Sequence, residues 1–282
     1  MILKARLRRK FFCCASALAL AAGGEAFAAE STGERPLTIL SANILYCNPI
    51  VEREPYARYR VRLAQLIEKI NALQPDILAL QEVANCEFHW GHFWLEPPKI
   101  IAQNTGYVYN HWFSEGFPKI WEEGLAFFWN PKTVDLRNVR CHHLKDKKGG
   151  SFGGVITKSL CRGDVRDKNG RLLRIFNTHL SGGDLGRRQV REILATVAQE
   201  APGMNAAILV GDFNLAPKDP AISWIKDFGF HLLINNHVDY IFSLGPVNSN
   251  SVSVIDLKSD NTSDHNGLWL DLGGEPRAMV KN

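Results

Sequence analysis

An apolar strand, an amphipathic helix and a second apolar strand follow one another early in the chain, and that order constrains the fold more than any other feature. Leu37 to Leu45 reads as a strand entering a core. From Ala57 to Leu73 the apolar residues Leu63, Leu66, Ile67, Ile70 and Leu73 recur at helical spacing, as one buried helix face requires. Gln74-Pro75 closes the helix, and Asp76 to Val83 is the next strand. A β-α-β unit of this kind implies a parallel or mixed sheet covered by helices.

Further along, Leu125 to Trp129 and Val134 to His143 read as strands, with Phe152 to Cys161 as the hairpin partner across a charged turn at 145–150. Asp167-Lys-Asn-Gly170 marks another turn before a strand from Leu172 to Leu180. Arg187 to Gln199 repeats the amphipathic pattern, with Val190, Ile193, Leu194 and Val197 on one side. Ala206 to Val210, Val238 to Ser243 and Leu268 to Leu272 are the last strands expected. Hairpins in the middle, with helices before and after, favour a two-sheet α/β sandwich over a doubly wound fold.

The first 28 residues read as a secretory signal peptide. Lys4, Arg6, Arg8, Arg9 and Lys10 form a basic start, Phe11 to Ala22 an apolar run, and Ala26-Phe-Ala28 a small-residue cleavage site. The apolar run is too short to span a bilayer, and Cys13-Cys14 lies inside it rather than at its end, which argues against a lipoprotein site. These residues carry five basic groups and Glu25, a net of +4 that equals the formal charge of all 282 residues. The mature chain is therefore near neutral, and charge gives little support to a nucleic-acid partner. Residues 29–36 read as a short linker, 37–273 as one domain and 274–282 as a tail. Four cysteines remain, Cys47, Cys86, Cys141 and Cys161; three pairings are open to them. Cys47 and Cys86 each lie four residues past a polar strand end, so the expected pairs are Cys47–Cys86 and Cys141–Cys161. A zinc site is the alternative, but no C-x-x-C knuckle is present.

Polar residues at strand ends carry the chemistry. The strand through Ile208, Leu209 and Val210 stops at Gly211 and delivers Asp212 and Asn214, which alternation places on one face. The strand after Pro75 ends on Glu82, and Asn177-Thr-His-Leu180 and Ser263-Asp-His265 make two further deliveries.

The ordered set of Asn43, Gln-Glu-Val around Glu82, Thr-His-Leu at 178–180, Gly-Asp-Phe-Asn at 211–214, Asp239 in Val-Asp-Tyr and Ser-Asp-His at 263–265 resembles the endonuclease/exonuclease/phosphatase superfamily. The resemblance runs from Leu37 to Leu272. It implies a four-layered α/β sandwich, with two central mixed β-sheets flanked by helices, and metal-dependent phosphoester hydrolysis. Glu82 would hold Mg²⁺ or Mn²⁺, with Asn43 and Asp264 completing or steadying the metal site. Asp212 would orient or deprotonate the attacking water, and Asn214 would donate to a phosphoryl oxygen. His179 and His265 would place cationic donors on the phosphate, and Asp239 matches a family carboxylate, although His237 stands where arginine is usual. One metal or two, and histidine or aspartate as base, stay open. Each residue also has a plainer reading: Glu82 as a loop cap, His179 as a core histidine, Asp239 as a structural carboxylate.

Within the superfamily the chain is expected to be an exported, monomeric nuclease, with a sphingomyelinase-like phospholipase or a phosphoinositide phosphatase as the alternatives. Its partner is thus a phosphodiester, in nucleic acid or in a phospholipid headgroup. For a nuclease, Lys145, Lys147, Lys148, Arg162, Arg166, Arg171, Arg187, Arg188 and Arg191 could grip a backbone, Arg187 and Arg188 foremost; these charges could equally solvate a hairpin and a helix. For a phospholipase, Phe88, Trp90, Phe93, Trp94, Trp112 and Phe113 could meet a membrane interface, though loop packing accounts for such a cluster as well. Between Asn214 and Asp239 the only basic residues of lysine or arginine type are Lys218 and Lys226, which leaves little for an abasic-site enzyme's DNA-penetrating loop.

Overall fold

Alternating apolar strands and one-sided helices sort this chain into layers. In the computed structural model the described residues are 36–45, 56–90, 93–117, 121–148, 155–166, 172–200 and 203–273; of these, 56–57, 86–90, 93–95, 117, 121, 146–148 and 155–156 are described by backbone alone. The stretches read as signal peptide and tail, and most of the one read as linker, lie outside them, as does Cys47; the Cys86 side chain is not described either. All described residues belong to one compact unit, Glu34–Asn282.

The elements in chain order are β1 (Leu37–Asn43), α1 (Tyr56–Leu73), β2 (Ile77–Trp90), β3 (Phe93–Leu95), α2 (Pro97–Thr105), β4 (Val108–Phe117) and β5 (Trp121–Trp129). Then come β6 (Arg137–Lys148), β7 (Val155–Arg166), β8 (Leu172–His179), α3 (Gly183–Glu200), β9 (Ala206–Asp212) and α4 (Pro220–Asp227). The chain closes with β10 (His231–Asn236), β11 (Asp239–Leu244), β12 (Ser249–Ile255) and β13 (Gly267–Leu272).

Two mixed sheets of six strands result, flanked by the four helices. The first runs β4-β5-β2-β1-β13-β12, with β3 added to β2; the second runs β6-β7-β8-β9-β11-β10. Each has one parallel pair, β1 with β2 and β8 with β9, and those pairs are the ones bridged by α1 and α3. A short antiparallel contact, Glu115 with Ile156 and Gly116 with Val155, joins the sheets at one edge.

Three apolar clusters fill the spaces between the four layers. Tyr59, Leu63, Leu66 and Ile70 of α1, with Ile101 of α2, cover Leu40, Leu78, Leu80 and Phe128 on the first sheet. Val190, Ile193 and Val197 of α3, with Ile222 and Ile225 of α4, cover Phe176, Leu209, Tyr240 and Phe242 on the second. Between the sheets, Ile39, Ile77, Ala79 and Phe127 meet Ile175, Ile208, Val210 and Ile241. Both sheets are buried on two faces, which is why their central strands read as continuous apolar runs rather than strict alternations.

The four-layered sandwich expected from the sequence is the observed fold. Several boundaries differ. The strand expected from Val134 starts only at Arg137, because the Val134 N–H bonds the Asn130 carbonyl (3.1 Å) and keeps the chain in a turn. The turn expected at 145–150 is displaced, since β6 runs on to Lys148. α2, α4, β3, β4, β10 and β12 are additions to the sequence reading.

Candidate active site

Polar residues just after β1, β8 and β9 or at their ends, and just before β13 or at the start of β11, meet at one edge of the sandwich. At the end of β9, Gly211 has φ +142°, and a Cβ there would collide with the Thr178 carbonyl, so the close approach of β8 and β9 requires glycine. Beyond it the Asn214 N–H bonds Asp212 Oδ1 (2.8 Å) in an Asx-type turn, with Asn214 at φ +49°. Phe213 turns the other way, into the outer core against Tyr240 and Phe242. The turn, rather than strand alternation, sets the position of Asn214, because β9 ends at Asp212.

Asn43, at the end of β1 and fully buried, links the two sheets. Its Nδ2 donates to Glu82 Oε1 (2.8 Å) and to Asp212 Oδ2 (3.0 Å), while its Oδ1 accepts the Leu45 N–H (2.9 Å). His179, at the end of β8, places Nε2 3.8 Å from Glu82 Oε1 and 3.7 Å from Asp212 Oδ2. Asn214 Nδ2 lies 3.1 Å from that same Nε2 and donates to the Leu180 carbonyl (2.9 Å).

On the other flank, antiparallel pairing of β11 with β9 sets Asp239 directly opposite Asp212. His265 Nδ1 donates to Asp239 Oδ2 (2.8 Å), leaving Nε2 to face Asp212 Oδ2 at 3.9 Å. Ser263 holds this histidine in place: its Oγ accepts the His265 N–H (3.1 Å) and donates to the Asn43 carbonyl (2.7 Å). Arg62 of α1 ties the same corner, donating to the carbonyls of Leu45 and Thr262.

Burial and crowding of like charges govern the titration of these groups. Burial, then the facing Asp239, pushes Asp212 up to about 6, against the pull of His265, Asn43 and the Asn214 N–H. Glu82 is also raised, chiefly by burial, in spite of its Asn43 hydrogen bond and nearby Lys158. Burial alone would lower His265, but its Asp239 hydrogen bond and the charges of Asp239, Asp212 and Asp264 outweigh that and lift it to about 9. His179 moves the other way, well below its ordinary value, through burial and the cations Lys158 and His265. Of the two histidines expected to be cationic, His265 fits; the surroundings of His179 favour its neutral form.

Seven of the residues singled out in the sequence, Asn43, Glu82, His179, Asp212, Asn214, Asp239 and His265, thus converge. Asp264 stands at the rim, its side chain 57% exposed and its Oδ1 3.9 Å from His265 Nε2. Arg187 braces the fold, bonding both carboxylate oxygens of Asp219 (3.1–3.2 Å) and Asp184 Oδ1 (2.7 Å). Arg188 is exposed on α3. Cys141 and Cys161 form the expected disulfide between paired positions of β6 and β7. Lys158 is an addition to the sequence reading; its Nζ lies 3.4–3.5 Å from the His179 ring nitrogens and donates to Glu115 Oε1 (2.6 Å). Glu123 is another, raised well above the carboxylate range by burial and by Glu82 and Glu115. The one signal for it is a pair of acids, Glu122-Glu123, heading an otherwise apolar strand.

The donor set fits a divalent cation. Glu82, His179 and Asp212 offer atoms within 4.8 Å of one another, and two crowded carboxylates with raised pKa are what a bound cation would relieve. Asp212, Asp239 and His265 form a second such group, but there the histidine already carries a proton on Nδ1 toward Asp239 and is held cationic, which suits it poorly as a ligand.

No protein with a curated description matches the sequence. Among solved structures, the human Nocturnin catalytic domain with bound sulfate anion superposes with a TM-score of 0.65 at 21% identity, covering 85% of this chain and 94% of that one. The Bacteroides thetaiotaomicron mannosyl-6-phosphatase Bt3783 gives 0.65 at 17% identity, covering 84% and 99%. ANGEL2, a 2',3'-cyclic phosphatase, gives 0.65 at 17%, covering 84% and 95%. At these identities the likeness is one of fold. A model of the Endonuclease/Exonuclease/phosphatase family matches residues 40–265, from β1 to His265. With most of its length inside that match, the chain belongs to the endonuclease/exonuclease/phosphatase family, whose members are metal-dependent phosphoester hydrolases.

Proposed function

We propose that the chain is an exported, monomeric hydrolase of compact phosphate esters that uses Mg²⁺ or Mn²⁺. The observation that carries this reading is the meeting, at one edge, of Glu82 and Asn43 from the first sheet with His179, Asp212 and Asp239 from the second. Glu82, with Asp212 and His179 beside it, would hold the ion, which supplies positive charge to the phosphoryl oxygens and acidity to water. Asp212, buried and facing both the ion and His265, is placed to orient an attacking water and accept its proton. Asn43 and the Asn214 N–H each occupy one of its oxygens and fix its plane. His265, cationic and steadied by Asp239, has its Nε2–H available for a phosphoryl oxygen. Lys158 is a second cation at the site. Asn214 can donate to phosphate only by giving up its contact with His179.

Three of the charges expected to grip a polynucleotide are engaged within the fold. Arg162 pairs with Glu200 and Asp164, Arg187 with Asp219 and Asp184, and Arg191 lies over Trp224 at 4.3 Å. Lys158 and His265, by contrast, lie among the converging carboxylates, which supports a small ester over a long strand and reverses the preference drawn from sequence. Two of the similar structures carry phosphatase in their names. Export rests on the N-terminal pattern and on the Cys141–Cys161 bond, which persists in oxidising compartments; among the described residues no helix is long and apolar enough to cross a membrane. The catalytic domain is taken as 37–273, after a 29–36 linker.

The test is to assay the mature chain from Ala29 with Mg²⁺, Mn²⁺ or EDTA, with Asp212→Ala as blank. Sugar phosphates, 2',3'-cyclic nucleotides, supercoiled plasmid and sphingomyelin vesicles are offered in parallel. Metal-dependent release of phosphate or opening of the cyclic ester, absent in the variant, is the expected result. Plasmid nicking alone would return the assignment to a nuclease, choline-phosphate release alone to a phospholipase. Full activity in Asp212→Ala would overturn the residue roles.

A further inference from the structure

The ladder between β2 and β5 breaks beside the site. Leu80 pairs with Ala126, but the next pair is Val83 with Gly124, so β2 carries one extra residue at Gln81-Glu82. This is a β-bulge, and Glu82 within it has φ +52°, a left-handed conformation that glutamate does not choose unaided. The bulge turns the Glu82 carboxylate toward Asn43 and His179. The Leu80 and Ala126 carbonyls on either side of the bulge each take a side-chain donor.

Those donors come from the opposite sheet. Asn177, on β8 two residues before His179 and so on the same strand face, is fully buried. Its Nδ2 donates to the Leu80 carbonyl (3.0 Å) and the Ala126 carbonyl (3.3 Å), and its Oδ1 accepts from Gln81 Nε2 (2.7 Å). Gln81, also fully buried, is held in turn by the Ala79 carbonyl (2.9 Å). One amide thus bridges both strands flanking the bulge and the residue that opens it. Deeper between the sheets the contacts are apolar, and such packing is not directional. A metal or phosphate site needs its groups placed within about 0.5 Å, which directional bonds across the gap can supply.

We infer that Asn177, acting with Gln81, is a positioning residue that holds the Glu82 bulge from the opposite sheet, so that cation affinity at Glu82 depends on an amide that never touches the ion. The inference rests on the proposal that Glu82 binds a divalent cation. Groups that orient a metal ligand typically change affinity by about 10–100-fold when removed.

The experiment titrates Mn²⁺ into the metal-free mature chain by calorimetry and records thermal unfolding of the same samples. Asn177→Leu, near in volume but without either donation, is expected to weaken Mn²⁺ binding by about tenfold or more. Asn177→Ser, smaller and with one donor, serves if the leucine variant fails to fold, and is expected to show a lesser loss. Ile175→Ala is the control: Ile175 lies on the same strand in the same inter-sheet core, and its truncation should lower the unfolding midpoint while leaving Mn²⁺ affinity within about twofold. Affinity unchanged in the Asn177 variants, or lost equally in Ile175→Ala at matched stability, would overturn the inference and leave the cation site standing. Absence of Mn²⁺ binding by the unaltered chain would instead remove the cation site at Glu82 and the inference with it.

Discussion

Asp212 illustrates how a group can serve the reaction at the expense of the fold. Its ordinary value of 3.8 rises to about 6, so the folded state binds a proton more readily than the unfolded chain. The resulting penalty is absent below the ordinary carboxylate range and complete above about pH 6. Asp212→Asn should therefore stabilise the metal-free protein at pH 7–8 by about 1–2 kcal/mol, the lost Asn43 hydrogen bond offsetting part of a two-unit shift. The same variant should lose at least about 100-fold in hydrolysis. Calorimetric unfolding beside a steady-state assay checks both; a variant that is less stable and inactive would mean that Asp212 is structural. His265 has the opposite linkage. Its pKa is raised from 6.5 to about 9, so its contribution to stability is complete below its ordinary value and is lost as pH rises through about 9. Activity that needs its charge should fall on the alkaline side near that value. Asp239→Asn removes the strongest upward influence on His265, and the alkaline limb of kcat/KM should move down by on the order of one pH unit. An NMR titration of the His265 ring is the independent measure, and a limb that stays in place would assign it to another group.

The motif residues are readable because each stands at or just beyond one end of an apolar run, Asp239 and His265 before theirs and the others after, where local pattern alone reports a strand edge. Lys158, Glu115 and Glu123 are not, because they reach the site through the pairing of β4, β5 and β7, which no local pattern encodes. The helices show the same division. α1 and α3 announce themselves by long apolar stripes. α4 does not, although Asp219 caps it by accepting the Ala221 N–H (3.0 Å) and Pro220 opens it, because eight residues give too little periodicity. β12, a polar edge strand of alternating serine, has no apolar run to mark it. Arg187 reads as a substrate ligand for want of a visible partner in its own helix beyond Asp184, since Asp219 lies at the start of the next one. The pairing gives a discriminating prediction. Asp219→Ala should destabilise the protein by about 1 kcal/mol through the lost cap, whereas Arg187→Gln should leave KM within about twofold. A large rise in KM for Arg187→Gln, seen in Michaelis–Menten analysis of the folded variant, would restore the arginine to the substrate site.

The site exists only because two sheets, each with its own β-α-β crossover, close on one another at the edge where their parallel strands end. That closure rests chiefly on the apolar layer between the sheets, with Asn43 and Asn177 adding hydrogen bonds across it. The disulfide adds a separate restraint. Cys141 and Cys161 face each other on β6 and β7, twenty residues apart in sequence. β6 is the outermost strand of its sheet and supplies none of the converging residues. Closing a loop of this length contributes about 3 kcal/mol, chiefly by restricting the unfolded chain. For a domain of this size that corresponds to an unfolding midpoint lower by about 5–10 °C when the bond is opened. Cys141→Ser with Cys161→Ser should show that drop, yet retain metal-dependent hydrolysis at 25 °C to within about twofold, since β7 stays paired to β8 from Ser159 to Arg166. The proposed Cys47–Cys86 bond makes a second claim on the same protein. An intact mass of the exported chain, before and after reduction, should rise by two hydrogens for each bond and should begin at Ala29. Two bonds would establish both pairings in an oxidising compartment, one bond would leave Cys47 and Cys86 as thiols, and none in freshly exported material would remove the disulfide argument for export.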